Sequence, residues 1–266
     1  MPDVQRYAAL VTGASSGIGE QIARRLAARG NDLVIVARNK EALDALAQEL
    51  RAAYAISIEV LPADLSDPGA PEQIQARLTD LGWTVDVLVN NAGFGGFGEF
   101  HSQDPKAIAD MLAVNVVALT DLTRRFLPVM VELGHGRVLN VASTAAFQPG
   151  PLMAVYYATK AYVLSLSEGL AEELRGTGVT VTALCPGPVD SGFQETASLQ
   201  ESRLLSGPVR RLTMPASGVA RIGVDAMYAG KPVAVAGLGN RMQTVMPRLL
   251  PRSVVTRIIA QAQARS

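Results

Sequence analysis

Aromatic residues make up only 5% of the 266-residue chain, with a single tryptophan. A core drawn from this composition must be filled by Ala, Val, Leu and Ile, as in tightly packed α/β domains. Hydrophobic residues reach 48%, enough for one large domain or two small ones. The one cysteine, Cys185, excludes an internal disulfide and fits a reducing compartment. The two histidines, His101 and His135, stand apart without Cys or carboxylate partners at ligand spacing, so no metal site is expected. Charged residues are 18% and the formal net charge is zero, so no basic field points to nucleic acid. No run of about 18 apolar residues appears, which argues against a membrane span. The N-terminus has no basic region followed by an apolar signal core, and a cytoplasmic location is expected.

What is present alternates. Apolar runs at Tyr7–Val11, Leu33–Val36, Ile56–Leu61, Val85–Val89, Arg137–Val141, Val179–Leu184 and Pro232–Ala236 read as strands. Helical periodicity separates them, as in Lys40–Tyr54 with Leu43, Leu46 and Leu50. Regular βα alternation predicts a mostly parallel sheet with right-handed crossovers. No linker, repeat or low-complexity tract divides the chain. Only the stretch from Gly192 to Thr213 lacks periodicity, and a long irregular segment of that kind is a candidate lid.

Chemistry-bearing residues fall at the strand ends. After the first strand comes Thr12-Gly13-Ala14-Ser15-Ser16-Gly17-Ile18-Gly19, then a helix. Strand, glycine-rich turn and helix suit a pyrophosphate, because glycine admits close backbone approach and the helix start offers free N–H groups. The second strand ends in Arg38-Asn39 with no carboxylate, which favours a 2′-phosphate over a free 2′-hydroxyl and so predicts NADP(H), with NAD as the second choice. Asp64-Leu65 follows the third strand; Asp64 suits an adenine amino group or a turn cap equally. Asn90-Asn91-Ala92-Gly93 follows the fourth, and the glycines up to Gly98 read as a flexible apolar wall of a cleft. Asn115 falls between two helices, Pro105–Val114 and Val117–Leu133, and needs a specific partner if buried.

Tyr156-Tyr157-Ala158-Thr159-Lys160 opens the helix that runs to Leu174. Positions i and i+4 share a face, so Lys160 can sit against Tyr156, and its charge should lower the phenol pKa toward working pH. Tyr157, three residues before Lys160, has a comparable spacing.

In this order the motifs resemble the short-chain dehydrogenase/reductase family over about residues 6 to 237. The matching residues are Thr12-Gly13-x-x-x-Gly17-Ile18-Gly19, Asp64-Leu65, Asn90-Asn91-Ala92-Gly93, Asn115, Ser143, Tyr156-x-x-x-Lys160 and Pro186-Gly187. The chain departs from the family pattern at Ala142 and at Ser191, which keeps a hydroxyl. The resemblance implies a Rossmann-like, doubly wound, seven-stranded parallel sheet of order 3-2-1-4-5-6-7 in one domain, residues 1–240, with a helical extension at 241–266. It selects Tyr156 over Tyr157 as proton donor and acceptor, with Ser143 on the same substrate oxygen, Lys160 on the nicotinamide ribose, and Asn115 holding a relay water. It assigns the cofactor to Gly13, Ser15, Ser16, Gly17, Ile18, Gly19, Arg38, Asn39, Asp64, Leu65, Asn91, Ala92, Gly93, Tyr156, Lys160, Pro186, Gly187, Val189 and Ser191.

The function expected is NADP(H)-dependent interconversion of a carbonyl and a secondary alcohol on an apolar substrate. Phe94, Phe147, Met153 and Phe193 would line its pocket beside Ser143. A catalytically idle dinucleotide-binding module is the alternative, and the complete Asn-Ser-Tyr-Lys set argues against it. The family also implies a homodimer or homotetramer, paired through the helices near Val117–Leu133 and Tyr156–Leu174. From Arg241 onward, five arginines interleave with apolar residues and no acidic residue occurs. A helix packed on its own domain or a partner subunit is the favoured reading, and a membrane-surface helix is the alternative.

Overall fold

Aliphatic runs that are buried on both faces assemble side by side, and the computed structural model shows how. It describes residues 6–190 and 213–263, so Ser191, Phe193 and nearly all of the irregular segment lie outside the described residues. Seven strands form one sheet: β1 (Arg6–Thr12), β2 (Asp32–Ala37), β3 (Ile58–Pro62), β4 (Trp83–Asn90), β5 (Gly136–Val141), β6 (Val179–Cys185) and β7 (Val233–Val235). Their order is β3-β2-β1-β4-β5-β6-β7, and every neighbouring pair is parallel, as the family resemblance implied.

Helices cover both faces. Those of the main domain are α1 (Gly17–Ala27), α2 (Lys40–Ala53), α3 (Ala70–Asp80), α4 (Pro105–Leu112), α5 (Leu119–Leu133), α6 (Ala154–Glu173) and α7 (Ala216–Tyr228). Alternation along β1 divides the core: Ala9 and Val11 pack with Ile22, Leu26, Leu43 and Val219, whereas Ala8 and Leu10 pack with Ile74, Leu122 and Phe126. Leu10, Leu26 and Leu88 are 0% exposed. Each such side chain contributes roughly 1.5–3 kcal/mol relative to exposure.

Strand register decides where the motifs meet. Thr12 pairs with Val36, Ala37 with Pro62, Asn90 with Asn140, and Val141 with Leu184. The carboxyl ends are therefore level along one edge of the sheet. Between β1 and β4 the strand order reverses, which opens the crevice where sheets of this kind bind ligands.

Two expectations are corrected. Asn115 does not separate two helices; α4 continues into α5 through a π-helical turn, Ala113–Ala118. Such a widened turn inserts an extra residue into the helix, and it commonly accompanies a functional side chain. The C-terminal region is two helices, α8 (Leu238–Leu249) and α9 (Arg252–Gln263), broken at Leu250-Pro251 because proline cannot supply the N–H the ladder needs. Among the described residues, no helix is long and apolar enough to cross a membrane.

Candidate active site

The glycine turn is locked to the end of β4 by Thr12. Its hydroxyl accepts from the backbone N–H of Asn91 and of Ala92, each at 3.0 Å, while Asn91 Nδ2 donates to the carbonyls of Thr12 at 3.0 Å and Gly13 at 3.2 Å. Gly13 and Gly17 sit in the left-handed region, at φ +64° and +58°. A Cβ on Gly19 would lie 2.2 Å from the Gly13 oxygen and 2.4 Å from Asn91 Nδ2, so no side chain fits. Ser16 precedes α1 without a side-chain cap on its first turn, which leaves those N–H groups available to an anion. Ile18 packs against the core.

Arg38 and Asn39 are exposed beyond β2. The Asn39 side chain caps α2, accepting from Ala42 N at 3.0 Å. Asp64 takes the turn-cap role: Oδ1 accepts from Ser66 N at 2.9 Å and Ser66 Oγ at 2.8 Å. Those two bonds, helped by the charges of Arg38 and Lys106, hold its carboxyl below the usual range. Leu65 is a core side chain at 7% exposure.

Across the switch point the Asn-Ser-Tyr-Lys residues converge. The Ser143 hydroxyl is close enough to the Tyr156 phenol to pull its pKa down. Lys160 Nζ stands 5.8 Å from the centre of the Tyr156 ring and donates to the Val141 carbonyl at 2.8 Å. Asn115 Oδ1 accepts from Phe94 N at 3.1 Å, and its Nδ2 donates to Phe94 O at 2.9 Å and Thr159 Oγ1 at 3.1 Å. A Cβ on Gly93 would lie 2.9 Å from Asn115 Oδ1 and 3.3 Å from Lys160 Nζ, so Gly93 is where these two meet. The π turn thus aims Asn115 at the loop after β4. Tyr157 turns elsewhere: its hydroxyl accepts from Gln263 Nε2 of α9 at 2.5 Å.

Of the pocket candidates, Met153 lies in one apolar cluster with Tyr156, Tyr157, Met111, Val255 and Ile259, with Phe94 packed on it. Phe147 does not join it; it packs on Leu119, Val163 and Cys185 instead. The loop wall is tied down where Gly98 N donates to Leu152 O at 2.8 Å, and Leu152 itself is left-handed at φ +65°. For a leucine that backbone is strained, and such strain gathers near functional sites. Pro186 accepts from Thr144 N at 2.8 Å, Gly187 lies under Asn240 of α8, and Val189 is buried.

A family model described as short chain dehydrogenase matches residues 7–202. This chain belongs to the short-chain dehydrogenase/reductase family. The family's solved members include a short-chain dehydrogenase from Sphingobium yanoikuyae in complex with NADPH, 34% identical with a TM-score of 0.80, over 97% of this chain and 98% of that one. The bulky-bulky ketone specific alcohol dehydrogenase of Comamonas testosteroni is 32% identical with a TM-score of 0.75, over 92% and 94%. A very-long-chain 3-oxoacyl-CoA reductase of Anas platyrhynchos is 36% identical over 183 residues, 67% of this chain but 58% of that protein. Other solved neighbours hold NADH or NAD.

Burial sets the protonation of this short-chain dehydrogenase's site, and it overturns one expectation. Instead of being lowered by Lys160, the Tyr156 phenol is pushed up to about 12 by burial, against the pull of the Ser143 hydrogen bond. Lys160 is pulled down to about 8, again by burial. Desolvation is the largest cause of both shifts. Cys185 is 0% exposed, and burial pushes its thiol up to about 12, which makes it a packing residue.

Sequence reasoning missed a buried polar chain behind the site. Asn90 Nδ2 donates to Thr123 Oγ1 and to Asn140 Oδ1, both at 2.9 Å, and Asn140 Nδ2 donates to Ser167 Oγ at 2.9 Å. It ties β4, β5, α5 and α6 together. The signal was there: Asn140 interrupts the apolar run of β5.

Proposed function

We propose that this oxidoreductase interconverts a carbonyl and a secondary alcohol with NADP(H), using Tyr156 as proton donor and acceptor. The observation that carries the reading is buried Lys160 set 5.8 Å from the Tyr156 ring and anchored on the Val141 carbonyl, with the Ser143 hydroxyl acting on the same phenol, at the carboxyl edge of the sheet across from the glycine turn. A phenol held protonated by burial is a competent acid for a carbonyl oxygen, and Ser143 can hold that oxygen where charge develops. Lys160 and Asn115, meeting at Gly93, suit the ribose and relay roles. When bound, a nicotinamide dinucleotide supplies or accepts the hydride. The closed glycine turn and uncapped α1 fit its pyrophosphate, with Ser15, Ser16, Ile18, Asn91 and Ala92 along the same crevice. Arg38, at a β2 end that has no acidic residue of its own, supports NADP(H) over NAD(H).

The apolar cluster around Tyr156 supports a medium-to-large apolar substrate, in line with the ketone and acyl substrates named for its relatives. Residues 1–240 act as the catalytic domain and 241–266 as an extension packed on it. Exposed Val117 and Val131 near and on α5, and Tyr162 on α6, at 57%, 40% and 40%, support pairing of copies through that face. A screen of ketones and alcohols followed by NADPH absorbance, with Tyr156→Phe as the blank, tests the activity. Silence against every size class would overturn it.

A further inference from the structure

Helix α8 is amphipathic with its faces reversed. Polar Asn240 and Thr244 point inward at 2% and 7% exposure, Asn240 Nδ2 donating to Ala236 O at 2.7 Å and Thr244 Oγ1 to Arg241 O at 2.8 Å. Apolar Leu238, Met242, Val245 and Leu249 point outward at 84%, 75%, 48% and 78%. At 3.6 residues per turn these four positions make one narrow stripe. An ordinary surface helix turns that stripe to the core.

Beyond the break, α9 exposes apolar side chains too. Leu250, Val254 and Ile258 are 37%, 39% and 39% exposed, while Val255, Ile259 and Gln263 on the other side of α9 are buried. Seven of the fifteen large exposed apolar side chains among the described residues thus fall between positions 238 and 258. With four of them on one face of α8, these are not the single scattered side chains of an ordinary surface.

Charge names the occupant. After Asp225 the sequence contains no acidic residue, yet it carries Lys231, Arg241, Arg248, Arg252, Arg257 and Arg265 in a chain of zero formal net charge. Arg241, Arg252 and Arg257 are exposed beside the stripe. A two-fold contact between copies would set this patch against itself, arginine facing arginine with no carboxylate in the segment to pair. An anionic bilayer surface supplies both halves of the match, acyl chains for the stripe and phosphates for the arginines.

We propose that α8 and the outer face of α9 dock this enzyme on an anionic lipid surface, lying in the interface without crossing it. The inner anchors are already in place: Asn240 packs on Gly187, and Val255 and Ile259 share a cluster with Tyr156. The proposal holds whichever substrate the enzyme takes.

The test is co-sedimentation of the full chain with vesicles of phosphatidylcholine alone and of phosphatidylcholine mixed with phosphatidylglycerol. The expected result is binding to the anionic vesicles, weaker binding to the neutral ones, and loss with added salt. Met242→Glu/Leu249→Glu should reduce partitioning by at least about tenfold, and Arg241→Glu/Arg257→Glu by about fivefold per arginine. NADPH binding and the melting temperature should stay unchanged in both, since these side chains are exposed. Absence of binding to anionic vesicles, or full binding by the Met242→Glu/Leu249→Glu variant, would overturn the proposal. So would a lack of vesicle binding accompanied by a halved mass of that variant in light scattering, which would assign the stripe to a second copy.

Discussion

The two adjacent tyrosines offer the sharpest separation of chemistry from architecture. Tyr157 accepts at 2.5 Å from Nε2 of Gln263, which is 0% exposed and whose Oε1 has no hydrogen-bond partner among the described residues. Tyr157→Phe strands the whole amide in the core, at about 1–3 kcal/mol for an unsatisfied buried group. Unfolding entropy near 2.1 cal/mol/K per residue converts that loss, over 266 residues, to a melting point lower by about 2–5 °C. Turnover should stay close to wild type. Tyr156→Phe should do the reverse, costing about a hundred- to ten-thousand-fold in kcat with little change in melting, since only an acid–base group is removed. Calorimetry and NADPH-coupled turnover on the two variants decide the matter. If Tyr157→Phe abolished turnover at unchanged stability while Tyr156→Phe kept it, the assignment of the proton donor would fall.

Other expectations follow from the same geometry. Arg38→Ala should lower the ratio of NADPH to NADH efficiency by about ten- to hundredfold, the worth of charge-assisted hydrogen bonds at about 1.5–3 kcal/mol; an unchanged ratio would defeat the NADP(H) assignment. Lys160 has its folded pKa pulled down to about 8 from an ordinary value of 10.5, so the unfolded chain binds more protons between those limits. The stability of wild type relative to Lys160→Met, a difference in which buried Cys185 and Tyr156 cancel, should therefore rise with pH across that window in denaturant melts; parallel curves would contradict it. Gly19→Ala forces a Cβ into the Gly13 carbonyl and should weaken NADPH binding by at least about tenfold. Gly30→Ala, where a Cβ meets nothing within 4 Å, should cost only left-handed strain of about 1–2 kcal/mol and leave binding intact, as titration of both variants would show.

Much of this protein was legible without coordinates. Strand runs such as Leu33–Val36 and helices such as Lys40–Tyr54 are written in local periodicity, and the structure moves their ends by a residue or two. Glycines at 13 and 19 carry their own argument, because a side chain there would run into the loop after β4 or the turn itself, and Gly17 stands in the left-handed region that favours glycine. Local pattern could not say what Asn39 and Asp64 do, since a polar side chain at a strand end serves a cap or a ligand equally well. Here both cap turns.

Sequence by itself determined the βα alternation, hence the fold class, and which residues stand at strand ends, because each depends on spacing within a few dozen residues; the strand order came from the family resemblance. Tertiary structure decided what depends on distant neighbours. Tyr157 is distinguished from Tyr156 by a glutamine 106 positions away. Phe147 and Met153, equally plausible as pocket walls, are parted by the clusters they enter. The Tyr156 phenol is shifted in the direction opposite to expectation, because burial is a property of everything packed around a group and spacing records only its partner. The same holds for α8: its apolar periodicity is plain in the sequence, but only the fold shows that the stripe faces outward.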